Sequence, residues 1–336
     1  MTKKILKYAA LVIVLAIGGF LYLQYQPELD KDDLAKYTQP PSQFMELEPG
    51  TVVHYRDQGN AEGPALVLIH GGTDSLFAWE PWVERLKDDF RLITIDLPGH
   101  GLTGRVASEH YTRGNAVKLV HDVLENLDVD KLSIGGHSMG GEIALTYTLE
   151  NPDKVESMIL VGAGGLGGWQ EADFLFFPYN LPVIGPYVSY FGDRTSEAST
   201  EQTKEYFVGE NDDIITEEFM QRWADLLRYE GNRHVNYLMY GDDERSPYGQ
   251  WYEEIGPEDL EPRLGEITVP SLLLWGKQDV LVPMIAAERF DAGLPNSTLV
   301  AYDGVGHMVV DEVTEQSVTD LREFLKANGI LRGGDS

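Results

Sequence analysis

A serine with a glycine two positions to either side, Gly136-His137-Ser138-Met139-Gly140, stands between a short apolar run and a helical one. Lys131-Leu132-Ser133-Ile134-Gly135 reads as a buried strand, and Glu142 to Leu149 reads as a helix. A serine at such a strand-to-helix turn fits a nucleophile elbow. The turn is so sharp that the nucleophile takes a strained backbone conformation, and the positions two residues away favour glycine. The hydroxyl is then held clear of the sheet, with the next helix N-terminus aimed at it. The same residues also suit an ordinary β–α turn with Ser138 as a helix N-cap. In a chain with 35 glycines the pattern also arises by chance, so the rest of the chain has to decide.

A serine hydroxyl is a poor nucleophile until a base takes its proton, and the base needs an orienting carboxylate. Of eight histidines, His307 stands out, because Gly304-Val305-Gly306-His307 follows the last strand-like run in a glycine-bracketed loop. Its bland reading is a surface loop histidine. Asp279 closes Trp275-Gly276-Lys277-Gln278-Asp279 just after the preceding strand, one helix and one strand before His307, so the two can be neighbours. Its bland reading is a helix N-cap. Asp96, in Asp96-Leu97-Pro98-Gly99-His100-Gly101, is a further carboxylate at a strand end. His70, His100 and His137 also lie close to these segments. No His/Asp/Glu set has metal-ligand spacing, and no glycine loop is followed by Lys-Ser/Thr, so neither metal nor cofactor is expected.

These residues need a scaffold that gathers strand ends. Residues 44–48 and 51–56 read as a hairpin about Pro49-Gly50. Strands follow at 65–69, 92–95, 131–135 and 155–161, with helices at about 77–87, 113–127 and 142–149 between them. The apolar strand Ala65-Leu66-Val67-Leu68-Ile69 is of the kind buried on both faces. Alternation of this sort implies an α/β fold, a mostly parallel sheet with helices on both faces. Binding sites in such sheets lie at the carboxyl ends of the strands, where His70-Gly71-Gly72, Asp96 and Ser138 all fall. The alternation stops after residue 162 and resumes with a strand at 271–275. A helix at about 283–292, a strand at 297–302 and a helix at 313–327 complete it. The division expected is therefore a core of 44–162 and 264–330, carrying a mainly helical cap insertion at 163–263. The tail from Arg332 is expected to be disordered.

With these five segments in order, the chain resembles the α/β-hydrolase fold superfamily over roughly residues 44–330. The segments are His70-Gly71-Gly72, Asp96 to Gly101, Gly136 to Gly140, Trp275 to Asp279 and Gly304 to His307. The resemblance implies Ser138 as nucleophile, His307 as general base and acid, and Asp279 as its orienter, with Asp96 structural. It implies an oxyanion hole from the backbone N–H of Met139 and that of Gly72, with Thr73 as the alternative. Related dehalogenases and epoxide hydrolases use an aspartate nucleophile, so serine at 138 points instead to acyl chemistry: a carboxylic-ester hydrolase working through an acyl-enzyme. The same parts serve amide, thioester or C–C bond hydrolysis, perhydrolysis and acyl transfer. A non-catalytic binding module on the same fold is the reading of a different class.

Composition narrows the partners. A net charge of −29, from 55 acidic and 26 basic residues, repels a phosphate backbone and excludes nucleic acid. The absence of cysteine excludes disulfides and thiol catalysis. Lys3, Lys4 and Lys7 precede a stretch without formal charge, Tyr8 to Tyr25, long enough as a helix to cross a hydrocarbon core. It ends in bulky aromatic residues without a small-x-small exit, so an uncleaved signal anchor over residues 1–26 is favoured above a cleaved signal peptide and secretion. The lysines put the N-terminus in the cytoplasm and the catalytic domain in a periplasm or outside the cell. Residues 27–43, with Pro27, Pro40 and Pro41, read as a linker. The cap aromatics from Trp169 to Phe191 mostly pack the cap onto the core, with Trp169 the candidate substrate contact. Together with the anchor they favour a small-molecule ester with a hydrophobic acyl or acylglycerol-like group.

Overall fold

A strand covered on both faces must be apolar on both, and the central strands here divide their residues between two cores. Val67 and Ile69 face one way with Ile93, Ile95, Ile134 and Leu160. Leu66 and Leu68 face the other with Leu92, Ile159, Val161, Leu272 and Leu274. In the computed structural model these strands form one eight-stranded sheet in the order β1-β2-β4-β3-β5-β6-β7-β8. The structure describes residues 25–47, 50–167, 194–240, 249–252 and 256–331, with Tyr8, Gly18, Gly19 and Tyr22.

The strands are β1 (Gln43–Leu47), β2 (Thr51–Gly59), β3 (Ala65–Ile69), β4 (Arg91–Ile95), β5 (Leu132–His137), β6 (Val155–Val161), β7 (Ser271–Gly276) and β8 (Ser297–Tyr302). β1 and β2 form the expected antiparallel pair, and β2 also runs antiparallel to β4. From β4 across to β8 every pairing is parallel. Helices α1 (Glu80–Leu86), α2 (Arg113–Asn126) and α3 (Met139–Glu150) connect the first half. Between β6 and β7, in the segment expected as the cap, come α4 (Glu197–Phe207), α5 (Glu217–Leu227) and α6 (Asn232–Tyr240), and after β7 come α7 (Met284–Gly293), α8 (Val309–Glu312) and α9 (Thr314–Ala327). The helix expected at 77–87 opens instead as a tighter 3₁₀ turn over Leu76–Trp79, with Pro81 in the first turn of the α-helix proper. There proline's missing N–H costs nothing. The helix expected at 313–327 is found at Thr314–Ala327, and a short helix over Val309–Glu312 precedes it.

Residues 27–43 are not a free linker. Leu29 N–H donates to the Arg228 carbonyl (2.8 Å) and its own carbonyl accepts from Glu230 N–H (3.1 Å), forming a parallel bridge with Tyr229. Arg228 Nε donates to the Pro27 carbonyl at 3.0 Å, and Arg233 donates to that of Gln26 at 2.7 Å. Farther on, Leu34 and Tyr37 pack with Leu76, Phe77, Leu102 and Leu226, and Tyr37 Oη donates to Asp225 at 3.1 Å. The segment reads as polar because its few apolar residues are widely spaced, yet they are the ones that bury. The proposed anchor falls almost wholly outside the described residues, as do the cap aromatics from Trp169 to Phe191 and the tail from Arg332. Among the described residues no helix is long and apolar enough to cross a membrane.

Leu34 is 1% exposed. Leu34→Ala is expected to lower unfolding free energy by about 2–5 kcal/mol, as for a buried leucine. A linker residue would cost less than about 0.5 kcal/mol. Urea denaturation of the two proteins distinguishes these.

Candidate active site

β3 pairs with β4 on one side and β5 on the other, so the winding of the sheet changes direction there. The crevice outside the carboxyl ends of β3 and β5 is where such sheets bind ligands. The loop His70-Gly71-Gly72 leaves β3 at this point, and Ser138 follows β5.

Ser138 has φ 51° and ψ −119°, a region that costs a non-glycine residue about 1–3 kcal/mol. Two contacts show why its neighbours are glycine. A Cβ on Gly136 would stand 2.0 Å from the Gly140 carbonyl oxygen, and one on Gly140 would stand 2.2 Å from that of Ile69. Ser138 N–H donates to the Val161 carbonyl at 3.0 Å, pinning the turn to β6. The serine occupies the N-cap position of α3 without capping it. Its Oγ makes no hydrogen bond to a described residue, so the hydroxyl is not committed to holding the helix.

Asp279 and His307 come together after β7 and β8. His307 Nδ1 lies 2.7 Å from Asp279 Oδ2, and the two residues are 3% and 4% exposed. A carboxylate only accepts, so Nδ1 carries a proton and Nε2 is the ring nitrogen left for other partners. The other oxygen, Oδ1, accepts from Leu281 N–H (2.9 Å) and Val282 N–H (2.8 Å). Asp279 therefore folds its own loop and does not cap α7. His137 ties this pair to the elbow. Its Nε2 donates to the His307 carbonyl at 2.9 Å, and the two rings lie 4.6 Å apart. Burial, then the nearby His307, pushes the His137 pKa down to about 3, so this imidazole is neutral.

The β3 loop meets the elbow from the other side. A Cβ on Gly71 would stand 3.1 Å from Ser138 Cβ. Gly71 to Asp74 forms a turn closed by Asp74 N–H to the Gly71 carbonyl at 3.4 Å. Thr73 sits in its third position with φ 60°. Neither Gly72 nor Thr73 donates its N–H to a described residue. Met139 lies beside Ser138 at the start of α3, where N–H groups and helix dipole both favour negative charge. Trp169 lies outside the described residues.

The histidines and aspartate set aside in the sequence hold loops. Asp96 is buried and accepts from Leu76 N–H and Leu102 N–H, both at 2.7 Å, and from His54 Nδ1 at 2.6 Å. Burial pushes its carboxyl up, but His54 and the backbone donors hold it below the ordinary value. His70 Nε2 accepts from Leu97 N–H at 3.0 Å, and its Nδ1 donates to the Gly71 carbonyl at 2.7 Å. His100 Nδ1 donates to the Pro98 carbonyl at 2.9 Å. Among the described residues, no three or more His, Asp or Glu are grouped to hold a metal ion.

Three contributors were not apparent in the sequence. Glu312 is buried, and its carboxylate accepts from Gly306 N–H (2.9 Å), Met308 N–H (3.2 Å) and Gly209 N–H (2.7 Å), bracketing His307 and binding it to the cap. Its signal was an acidic residue five positions after the histidine. Phe207 accepts the His307 N–H at 2.8 Å, and Trp223 Nε1 donates to the Thr73 carbonyl at 2.6 Å. Neither aromatic has a local motif. With Phe219, Ile214 and Met308 they form an apolar wall beside His307.

Asp311, four residues past His307, has its pKa pushed from 3.8 up to about 7 by burial and then by the charge of Asp74, against Arg222. The folded chain keeps this proton where an unfolded aspartate has lost it, so this group makes stability fall as pH rises from about 4 to about 7. Asp311→Asn is expected to shrink the loss of melting temperature between pH 5 and pH 8, measured by thermal denaturation at both.

Comparison with known proteins agrees with this architecture. The family model for the alpha/beta hydrolase fold matches residues 64–313. An uncharacterized hydrolase, YugF, of Bacillus subtilis (strain 168) is 28% identical over 283 residues, covering 82% of this chain and 95% of that protein. The 2-hydroxy-6-oxo-6-phenylhexa-2,4-dienoate hydrolase of Burkholderia cepacia is 27% identical over 261 residues, 76% of this chain and 84% of that one. A thermophilic esterase from Thermogutta terrifontis superposes with a TM-score of 0.66 at 21% identity, covering 85% of this chain and 98% of that structure; the likeness is one of fold. With the sheet order, the elbow and the family match in agreement, the chain belongs to the α/β-hydrolase fold family.

Proposed function

We propose that this protein is a serine hydrolase that cleaves carboxylic esters with hydrophobic acyl groups. The observation that carries the reading is Ser138 at φ 51°, its hydroxyl uncommitted, in a crevice whose neighbouring loop holds His307 oriented by Asp279 at 2.7 Å. Ser138 Oγ attacks the ester carbonyl carbon while His307 Nε2 takes the hydroxyl proton. Catalytic hydrogen bonds of this kind commonly tighten only around substrate. Asp279 holds the ring with Nδ1 protonated and stabilises the imidazolium. The developing oxyanion is met by the backbone N–H of Met139 and of Gly72 or Thr73. The imidazolium then protonates the leaving alcohol, and water repeats the sequence on the acyl-enzyme.

A second reading, hydrolysis of a C–C bond by the same parts, is favoured by the name of the Burkholderia cepacia relative. That name describes a dienoate, a carboxylate. Beside the β3 loop and α8 lie Asp74 and Asp311, whose carboxyls burial pushes above the ordinary range, and the nearby Arg222 is tied to Glu80 at 3.3 Å, so this guanidinium is already matched by a carboxylate of the chain. The apolar wall of Phe207, Phe219 and Met308 supports a hydrophobic acyl group.

The test is hydrolysis of p-nitrophenyl esters from acetate to palmitate, alongside the dienoate, by wild type and Ser138→Ala. Ester turnover is expected to exceed dienoate turnover and to fall about a million-fold in the variant. Dienoate turnover dominating selects the second reading, and an equally active variant removes Ser138 as nucleophile.

The anchor remains part of the proposal: residues 8–25 hold the enzyme in a membrane with its catalytic domain periplasmic or extracellular. The full chain is expected to sediment with membranes after an alkaline wash. A chain starting at Tyr25, which keeps the contacts of Gln26 and Pro27 to the cap, is expected to stay in the supernatant.

A further inference from the structure

We propose that His137, the residue before the nucleophile, is a positioning residue for the catalytic base: its ring N–H holds the His307 carbonyl and so fixes the base beside Ser138. This rests on the serine-hydrolase reading above.

The bond joins the two halves of the site. His137 is the last residue of β5 and is paired in register with Val161 of β6, so its backbone belongs to the sheet. Its side chain reaches a loop 170 residues on, where Nε2 lies 2.9 Å from the His307 carbonyl oxygen. A carbonyl only accepts, so Nε2 carries the proton. That carbonyl is attached to the Cα that bears the catalytic imidazole. The N–H on the other side of the same Cα donates to the Phe207 carbonyl at 2.8 Å. Both peptides flanking His307 are therefore held, one from the cap and one from the neighbour of the nucleophile. The two rings also meet, with centroids 4.6 Å apart at 47°, so His137 acts at the base itself. Its other nitrogen, Nδ1, backs onto the β3 loop, where a Cβ on Gly71 would stand 3.1 Å from it.

The remaining holds on His307 come from elsewhere. Asp279 orients the ring from the loop after β7, and Glu312 grips Gly306 and Met308 from α8. Among the described residues neither carboxylate bonds to the elbow. The charge state of His137 suits the role as well. Positive charge builds on His307 as it takes the serine proton, and a cationic neighbour would oppose it. Burial, then His307 itself, pushes the His137 pKa down to about 3, so the donor is a neutral N–H.

Two substitutions separate the donor from the ring. His137→Phe keeps a ring and removes the donor. His137→Gln removes the ring and keeps an N–H donor the same number of bonds from Cα. The Phe variant is expected to lower kcat on p-nitrophenyl esters at least about tenfold with KM changed less than about twofold, because a misplaced base costs transition-state stabilisation and not substrate binding. The Gln variant is expected to lower kcat less than about threefold. The rate of Ser138 labelling by a fluorophosphonate, which also needs the base, should follow the same order, with both assays run below the melting temperatures of the variants. A tolerated Phe with an impaired Gln overturns the proposal, since that is the order ring packing would give. Equal losses in the two variants, or no loss in either, overturn it too. Wild type that neither turns over esters nor labels at Ser138 overturns the serine reading itself, and this inference with it.

Discussion

One backbone conformation organises this molecule: the left-handed turn at Ser138. A serine at φ 51° does not hold itself there. It is held because β5 ends against β3 and β6, because Gly140 lies on the Ile69 carbonyl, and because the Ser138 N–H is taken by Val161. Each of these contacts requires the parallel register of the central strands, and that register rests on the two apolar cores. Stability built over the whole sheet is thus concentrated in a turn whose side-chain oxygen is left for chemistry.

The loops around the elbow are fixed by buried carboxylates. Asp96 collects Leu76, Leu102 and His54 and so sets the loops after β3 and β4. Asp279 uses one oxygen on its own loop and the other on His307. Glu312 gathers backbone donors on both sides of His307 and one from the cap. Backbone N–H donors offset part of the cost of burying a carboxylate and hold it rigidly; at Asp96 they and His54 outweigh burial, whereas at Glu312 burial still pushes the carboxyl up. Such groups suit loops, whose backbone donors lack the ladder partners that strands provide.

How much of this could be read from the chain follows from where each constraint lies. Ser138 and the glycines at 136 and 140 were legible because a sharp turn demands particular residue types at a strand end, and the Asp279–His307 contact because both residues follow neighbouring strands. The sheet was legible because doubly buried strands leave apolar runs such as Ala65 to Ile69. The contributions of Trp223 and Phe207 were not, since each depends on a cap helix meeting a core loop far away in sequence, and an aromatic on an amphipathic helix looks the same whether it packs or positions. Glu312 was hidden among acidic neighbours. The segment 27–43 was misread because prolines and charges dominate its composition, whereas Leu29, Leu34 and Tyr37 decide its fate.

That segment has a mechanical meaning. Leu29 is bonded to Arg228 and Glu230 at the junction of α5 and α6, and Gln26 and Pro27 are held by Arg233 and Arg228. Followed from residue 25, the load path enters the fold through these cap residues, before it reaches Leu34 and Tyr37 between cap and core or β1 of the sheet. Tension applied at the amino-terminal side is borne first by Arg233 on α6 and by Arg228 at the end of α5, and the sheet feels it only afterwards. Whatever holds the chain there holds the helices beside the Ser138 turn and leaves the sheet suspended from them.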